Sequence, residues 1–227
     1  MQDSATRLVI FDCDGVLVDS EAIACRVDAE ILSALGFPIA FEEFRDRYVG
    51  ISTATMCADI EARHGRRLPA DIADRLLAAV LAAFEAELAP IPGIPEALRA
   101  IGAPRCVASS SDPPRIRRSL EIAGLLGLFE PHLFSATMVA RGKPAPDIFL
   151  HAAASMGVAP RGCVVVEDSI PGVQAARAAG MRVLGFTGGG HCGPGHGARL
   201  AAAGAALVFD DMAQLPRLVA AQEGARA

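Results

Sequence analysis

The chain has 227 residues, of which 52% are hydrophobic, and its mean hydropathy is +0.36. Its formal net charge of −5 argues against nucleic acid or an anionic membrane surface as the main partner. The longest apolar runs are well short of the about 20 residues that a membrane-spanning helix needs, and the first residues do not resemble a secretory signal. Six scattered cysteines without a CxxC pair favour reduced thiols, so we expect a globular cytoplasmic protein.

Five short apolar segments predict β-strands. The first is a continuous apolar run that ends in a carboxylate, as is typical of parallel strands covered on both faces. Helical patterns begin near Pro113, Pro146 and Pro171, between the later strands. Strands that alternate with helices predict an α/β fold with a doubly wound, Rossmann-like parallel sheet. The predicted strands are Arg7–Asp12, Arg105–Ser109, Cys163–Glu167, Met181–Phe186 and Ala206–Phe209.

The stretch from about residue 20 to residue 88 breaks this alternation. Apolar residues lie on one helical face between Ile23 and Leu35, and again between Ile72 and Leu88, with no strand pattern between them. We therefore predict a core domain formed by residues 1–18 and 89–227, and an all-helical cap inserted at residues 19–88.

Polar side chains follow three of the predicted strands. Asp12 ends the first strand, Ser109 the second, and Glu167 with Asp168 the third. Ligands of open α/β sheets bind at this edge. Asp14 follows two residues after Asp12, so that one carboxylate can attack while the other transfers a proton. The motif alone is equally compatible with an Asp-rich loop that opens a helix.

Four motifs in this order resemble those of the haloacid dehalogenase superfamily, in its phosphatase and β-phosphoglucomutase-like branch. They are Asp12–Glu21, Val107–Ser110, Gly142–Asp147 and Val166–Ser169. The resemblance spans nearly the whole chain, and it implies a Rossmann-like core with a helical cap inserted after the first strand.

The resemblance also implies a role for each motif residue. Asp12 would attack phosphorus and form an aspartyl phosphate, while Asp14 would protonate the leaving group and then activate water. Ser109 and Lys143 would bind the transferring phosphoryl group. The implied ligands of Mg²⁺ are Asp12, Asp14 through its backbone carbonyl, Glu167 directly or through water, and Asp168. An oxygen-only ligand set suits Mg²⁺.

Lys143 is the only lysine in the chain. This isolation suggests a specific task for its ammonium group, although chance survival of one lysine on a loop would give the same pattern.

The predicted substrate is a small phosphorylated metabolite, either a sugar phosphate or an organic-acid phosphate such as phosphogluconate or phosphoglycolate. The cap would close over the site and contact the leaving group. For Arg26 and Arg47, an ordinary solvated position on a helix is the simpler interpretation. The candidate substrate-binding residues are Ser109, Ser110, Lys143, Glu21, Arg26, Arg47, Gly50 and Thr53. We expect a monomer or a weak dimer.

Other members of the superfamily offer alternatives. Asp14 argues against dehalogenation, because dehalogenases lack the second aspartate, and the absence of a cap lysine argues against phosphonate hydrolysis. β-Phosphoglucomutases carry a cap histidine and a cap arginine where this chain has Ala24 and Thr53, which favours water as the phosphoryl acceptor. A phosphomutase and a non-catalytic phosphometabolite sensor remain as alternatives.

Two further features need an interpretation. Gly188–His196 contains two histidines and a cysteine at no recognised zinc spacing, and a flexible surface loop is expected there. The side chain of Cys13 is expected to point away from the carboxylates on either side of it.

Overall fold

The computed structural model describes residues 6–221, so the outermost residues of the predicted core domain, 1–5 and 222–227, lie outside the described residues. Six strands form one parallel sheet in the order β3-β2-β1-β4-β5-β6. Their bounds are β1 Leu8–Phe11, β2 Arg105–Ser109, β3 Leu133–Ser135, β4 Cys163–Glu167, β5 Arg182–Phe186 and β6 Leu207–Phe209. The predicted Rossmann-like sheet is confirmed.

Strand β1 lies in the middle of the sheet. It pairs with β2 on one side and β4 on the other, and all four of its residues are fully buried. This burial on both faces explains its uninterrupted apolar sequence. The strand order reverses at β1, and the crevice beyond the carboxyl ends of the strands at such a reversal is where open α/β sheets bind ligands.

The edge strand β3 is missing from the five predicted strands. It has only three residues, Leu133–Ser135, and pairs in parallel with β2. A segment this short, which follows Pro131 closely, carries too little alternation or apolar length to be recognised from sequence.

Helices cover both faces of the sheet. One apolar cluster includes Phe11 and Phe129, whose rings meet edge to face at 5.8 Å, and the other includes Ile10 and Phe149. These two cores confirm the doubly wound arrangement. The helices are α5 Ile94–Ala100, α6 Pro113–Ile122, α7 Asp147–Ser155, α8 Ile170–Ala178, α9 His196–Ala203 and α10 Leu215–Ala220.

The segment between β1 and α5 is helical, as predicted. Its helices are α1 Glu21–Ala34, α2 Phe41–Tyr48, α3 Thr53–His64 and α4 Ile72–Glu87. Helices α1 and α4 correspond to the two predicted apolar faces, whereas α2 and α3 were not identified separately. The helical insert has a hydrophobic cluster of its own, which includes Phe44, Ile60 and Leu76. Within residues 6–221, no helix is both long and apolar enough to cross a membrane.

The two connections between the insert and the sheet run side by side. Val18 forms an antiparallel bridge with Pro90, the amide of Asp19 donates to the carbonyl of Ala89 at 3.0 Å, and the amide of Ile91 donates to Leu17 at 3.0 Å. The chain therefore leaves the core and returns to it at the same place, beside the carboxyl end of β1.

Candidate active site

Asp12 and Asp14 lie in the loop that follows β1. The amide of Asp12 continues the sheet by donating to Val166 at 3.0 Å, and both carboxylates are buried, with 5% and 4% of the residue exposed. Gly15 has a φ of +76°, and a Cβ there would lie 1.9 Å from Oδ2 of Asp168. Glycine is therefore required where this loop turns against the end of β4.

Lys143 joins the loop before α7 to two carboxylates. Its Nζ donates to Oδ1 of Asp12 at 2.8 Å and to Oε1 of Glu167 at 2.5 Å, and its side chain is 1% exposed. Burial alone would lower the pKa of Lys143, but Asp12 and Glu167 outweigh it and raise the pKa above the usual range. The buried amine is thus held as an ammonium ion next to Asp12.

Three carboxylates, those of Asp12, Glu167 and Asp168, form an acidic cluster. One oxygen from each lies within 4.8 Å of the others, a spacing that can hold a metal ion. Burial raises the pKa of Asp12 well above its usual value; Lys143 opposes this, and Glu167 and Asp168 add to it. Oδ2 of Asp168 is buried, and its contact with Nε2 of His191 at 3.0 Å is an ion pair without good hydrogen-bond geometry. Buried carboxylates this close together are the property expected of a divalent-cation site.

The oxygens of Glu167 also have other partners. Oε1 accepts from Lys143, and Oε2 accepts from the backbone amide and the hydroxyl of Ser169 at 2.8 and 2.9 Å. A Cβ on Gly172 would lie 1.8 Å from Oε1, so the start of α8 packs tightly against this side chain. Glu167 therefore orients Lys143 and the start of α8, and this role is separate from any part that it has in binding a cation.

Asp14 is held by hydrogen bonds from several residues. Its Oδ1 accepts from Ser20 at 2.6 Å and from Nη2 of Arg115 at 2.8 Å, while Oδ2 accepts from Ser111 at 2.7 Å and, at 3.4 Å, from Ser109. Burial favours the neutral acid, but Arg115 and the hydroxyl donors lower the pKa of Asp14 below its usual value. Asp14 is an ionised carboxylate in this arrangement.

A cavity of about 50 Å³, hereafter the site cavity, lies between the insert and the core. Ser110 donates to the carbonyl of Gly50 at 3.1 Å, which joins the two walls. The structure brings together there most of the residues predicted from sequence: Asp12, Asp14, Ser109, Ser110, Glu21, Gly50 and Thr53.

Three predicted substrate contacts do not line the site cavity: Lys143, which bonds Asp12 instead, and the two arginines of the insert. Arg47 bonds Glu43 at 3.1 Å and lines a separate cleft of about 790 Å³, and Arg26 bonds Glu87 at 2.8 Å on the exposed surface. Both arginines are ion-paired residues of helices, as expected if they are solvated helix positions and not substrate contacts.

Sequence reasoning missed several residues around the site cavity. Asp28 follows Glu21 by seven residues and lies on the same face of α1, so helical periodicity is the signal that could have found it. Ser111 ends a run of three serines that begins with Ser109, the last residue of β2. Arg115 lies near the start of α6, where no motif indicates that its side chain reaches Asp14.

The expectation of a flexible surface loop at Gly188–His196 is wrong for its histidines. His191 and His196 are buried, and their Nε2 atoms lie 3.0 Å from Oδ2 and 2.5 Å from the carbonyl oxygen of Asp168. Burial lowers the pKa of His191, but Asp168 and Cys192 reverse this and raise it to about 11. Together, His191, Cys192 and His196 form a second group whose spacing can hold a metal ion.

The glycines of this loop give the physical reason. A Cβ on Gly189 would lie 3.0 Å from the carbonyl oxygen of Gly15, and the amide of Gly190 donates to Asp19 at 2.9 Å. The glycine run therefore lets the backbone approach the loop after β1 closely. The expectation for Cys13 is confirmed, because it is fully buried in the apolar cluster on one face of the sheet.

Comparison with known proteins agrees with this geometry. The family model described as haloacid dehalogenase-like hydrolase matches residues 6–180. The chain is 35% identical over 184 residues to 6-phosphogluconate phosphatase of Escherichia coli (strain K12), covering 81% of this chain and 83% of the relative. It is 30% identical over 180 residues to hexitol phosphatase B of the same organism, covering 77% and 81%.

A solved structure gives the same result. A conserved haloacid dehalogenase-like protein from Agrobacterium tumefaciens str. C58 is 43% identical and superposes with a TM-score of 0.81, covering 96% of this chain and 99% of that one. The chain belongs to the haloacid dehalogenase-like hydrolase family. Both Escherichia coli relatives are phosphatases by name, and the chain is a phosphoric monoester hydrolase.

Proposed function

We propose that the protein is a Mg²⁺-dependent phosphatase that hydrolyses a small phosphorylated metabolite through an aspartyl phosphate on Asp12. The observation that carries the proposal is the position of the Asp12 carboxylate, which accepts from the ammonium group of Lys143 and is a member of the acidic cluster. The substrate would be a sugar phosphate or an organic-acid phosphate such as phosphogluconate or phosphoglycolate.

In the first step, a carboxylate oxygen of Asp12 attacks phosphorus, and the bond from phosphorus to the leaving-group oxygen breaks. Water then attacks the aspartyl phosphate, which releases phosphate and restores Asp12. This route divides one slow displacement into two faster ones. The hydrogen bond from Lys143 fixes the orientation of the carboxylate and favours its ionised, nucleophilic form.

Lys143 and Ser109 would stabilise the charge on the transferring group. The ammonium ion is already desolvated and held by two carboxylates, so it needs no reorganisation when the phosphoryl group arrives. Ser109 ends β2 and lines the site cavity, where its hydroxyl can donate to a phosphoryl oxygen.

Asp14 would act as the general acid and base. A substrate dianion bound nearby raises the pKa of a carboxyl group, so we propose that Asp14 takes up a proton as the substrate binds. Asp14 then gives this proton to the leaving oxygen and later removes one from the attacking water. Arg115, Ser20 and Ser111 hold Asp14 in place for both transfers.

The donor atoms fit Mg²⁺. We propose that the carboxylates of Asp12 and Asp168 and the backbone carbonyl of Asp14 hold it, with Glu167 contributing through water because Lys143 and Ser169 occupy its oxygens. When bound, the cation neutralises the charge that the carboxylates and the phosphate would otherwise bring together.

The insert would act as a cap that excludes water and contacts the leaving group. We propose that the cap comprises residues 19–88 and the core residues 1–18 and 89–227. Glu21, Gly50 and Thr53 are the proposed contacts from this side. Arg47 is left as a contact only for a substrate that extends beyond the site cavity. A cytoplasmic location and a monomeric or weakly dimeric state remain predictions from the sequence.

A panel of phosphorylated metabolites assayed with Mg²⁺ tests the proposal, with Asp12→Asn as the matched control. We expect phosphate release by the wild type and a loss of at least about 10³-fold in kcat for the variant. Turnover of no substrate by a folded wild type, or full activity of Asp12→Asn, would contradict the proposal. Tight phosphometabolite binding without turnover would instead indicate a sensor.

A second arm of the assay separates hydrolysis from phosphoryl transfer between sugars. β-Glucose 1-phosphate is supplied with a catalytic amount of glucose 1,6-bisphosphate, and the products are identified. Free glucose is expected from a phosphatase, because Ala24 and Thr53 offer no charged group toward a second phosphate. Accumulation of glucose 6-phosphate would show a mutase.

A further inference from the structure

Helix α1 lines the site cavity with one face. Glu21, Ala24, Cys25 and Asp28 all line it, and their spacing of three, four and seven residues places them along a single stripe of an α-helix. Ala24 and Cys25 are small, so they leave room between the carboxyl groups of Glu21 and Asp28. This face is directed at the same cavity as Asp12 and Asp14, where the leaving group of a substrate would lie.

Two polar atoms around this cavity are buried without hydrogen-bond partners. One is Oδ1 of Asp28, on the insert side, and the other is Nε of Arg115, on the core side. Buried polar groups are nearly always hydrogen-bonded, and an unsatisfied one costs about 1–3 kcal/mol. Because Asp28 and Arg115 line the cavity from opposite walls, a ligand that both donates and accepts hydrogen bonds could satisfy these two atoms.

We propose that Asp28 is a specificity-determining residue that accepts hydrogen bonds from the hydroxyl groups of a polyhydroxylated leaving group, such as that of a sugar or polyol phosphate. This inference rests on the proposed phosphatase function and narrows its substrate class. A hydroxyl group can donate to Asp28 and also accept from Arg115, which matches the two free atoms. A leaving group without hydroxyls leaves both of them unsatisfied.

The electrostatics of the cavity agree with this chemistry. Burial raises the pKa of Asp28 to about 6, with Arg115 opposing the shift, so its carboxylate is ionised at neutral pH and accepts strong hydrogen bonds. Arg115 is the one arginine or lysine among the described residues that line the cavity, and it already binds Asp14. Hydroxyl groups are uncharged, so they add no charge that Arg115 would have to neutralise.

The test compares two substrates with the same six-carbon chain, glucitol 6-phosphate and n-hexyl phosphate, which differ in their hydroxyl groups. The enzymes are the wild type, Asp28→Asn and Asp28→Ala, with Glu30→Gln as the matched control. Glu30 lies on the same helix, but its side chain is 66% exposed and faces away from the cavity. Thermal unfolding of each variant is measured first.

We expect the wild type to prefer glucitol 6-phosphate. Both Asp28 variants should lose about 10–100-fold in kcat/KM for this substrate, mainly through KM, and change less than about twofold for hexyl phosphate, because a hydrogen bond to a charged group contributes at this level. Glu30→Gln should behave as the wild type. The substrate dependence is what distinguishes recognition from a structural role.

Several results would overturn the inference. They are an equal loss for both substrates, no loss for either, or a wild type that hydrolyses hydroxyl-free phosphates better than every polyhydroxylated phosphate in the panel. The last comparison needs no variant, so it decides even if the substitutions prevent folding. Each of these results leaves the phosphatase function intact, whereas failure of that function appears as no turnover of any phosphate.

Discussion

The two walls of the site cavity differ in how their charged groups are satisfied. On the core wall, Lys143 bonds two carboxylates and Asp14 accepts from four donors, so nearly every charge there has a fixed partner. On the insert wall, Oδ1 of Asp28 has no hydrogen-bond partner. Groups with fixed partners preorganise a reaction that is the same for every substrate. Groups without a partner favour those substrates whose own hydrogen-bonding groups satisfy them.

The largest expected effect comes from removing the ammonium group of Lys143 from the core side of the site. In Lys143→Met, the ammonium ion is lost and Asp12 and Glu167 remain buried without it. We expect kcat/KM to fall by about 10³-fold and unfolding in urea to show a loss of about 3–5 kcal/mol, because removing one partner of a buried ion pair leaves the other uncompensated.

The matched control is Arg141→Met, two residues away on the same loop. Arg141 also pairs with a carboxylate, that of Asp147, but its side chain is 71% exposed. Its loss should cost less than about 1 kcal/mol and leave activity unchanged. Activity of Lys143→Met within tenfold of the wild type would refute the role of the ammonium ion.

A second prediction concerns the contact between the walls. Gly50 has a φ of +77°, and a Cβ there would lie 2.6 Å from the side chain of Ser169. In Gly50→Ala we expect the Val49–Thr53 segment to be pushed from the core, with kcat/KM lowered about 10–100-fold in steady-state assays. Correct closure of a cap positions the substrate.

Gly65→Ala is the control for backbone strain alone. Gly65 ends α3 with a φ of +63°, and a Cβ there would meet nothing within 4 Å. This variant should show the cost of a left-handed non-glycine residue, about 1–2 kcal/mol, with normal activity. If both variants lose activity equally, the contact with Ser169 is not the cause.

The smallest expected effect concerns the raised pKa of Glu21 on the insert wall. Burial, followed by the charge of Asp14, raises the pKa of Glu21 to about 8 from an ordinary 4.5. The folded state therefore keeps a proton that the unfolded chain releases, and stability falls as the pH rises from about 4.5 to about 8.

Glu21→Gln removes this dependence. The variant should match the wild type near pH 4.5 and exceed its unfolding free energy by about 2–4 kcal/mol at pH 8.5, measured by urea denaturation at several pH values. Glu30→Gln, at an exposed position of the same helix, should change stability by less than about 0.5 kcal/mol at either pH. A stability gain independent of pH would contradict the assignment.

The core wall was largely predictable from sequence. Asp12 and Asp168 directly follow apolar strands, Ser109 is the last residue of one, and parallel strands bring their carboxyl ends to one edge. Local sequence and sheet topology therefore determine where these residues meet. The structure also supports the position of Lys143, whose proximity to Asp12 had no local signal and was expected from its motif.

The insert wall, together with the core contacts that Arg115 and His191 make, was much less predictable. Helix α2 is short and mostly polar, and α3 buries only Met56 and Ile60. The pairing of Arg115 with Asp14 depends on how α6 packs against the loop after β1. The burial of His191 depends on a glycine run whose close approach to Gly15 is a tertiary property. Such contacts join segments far apart in sequence, where periodicity and spacing give no information.

The paired connections between the insert and the sheet have a consequence for modular exchange. Because Val18 and Pro90 are bridged, the points where the insert starts and finishes are neighbours in space. A different helical module, or a short turn, fits between them without stretching β1 or displacing α5. The catalytic strand ends and the substrate-contacting segment can thus diverge independently, by replacing everything between two adjacent backbone positions.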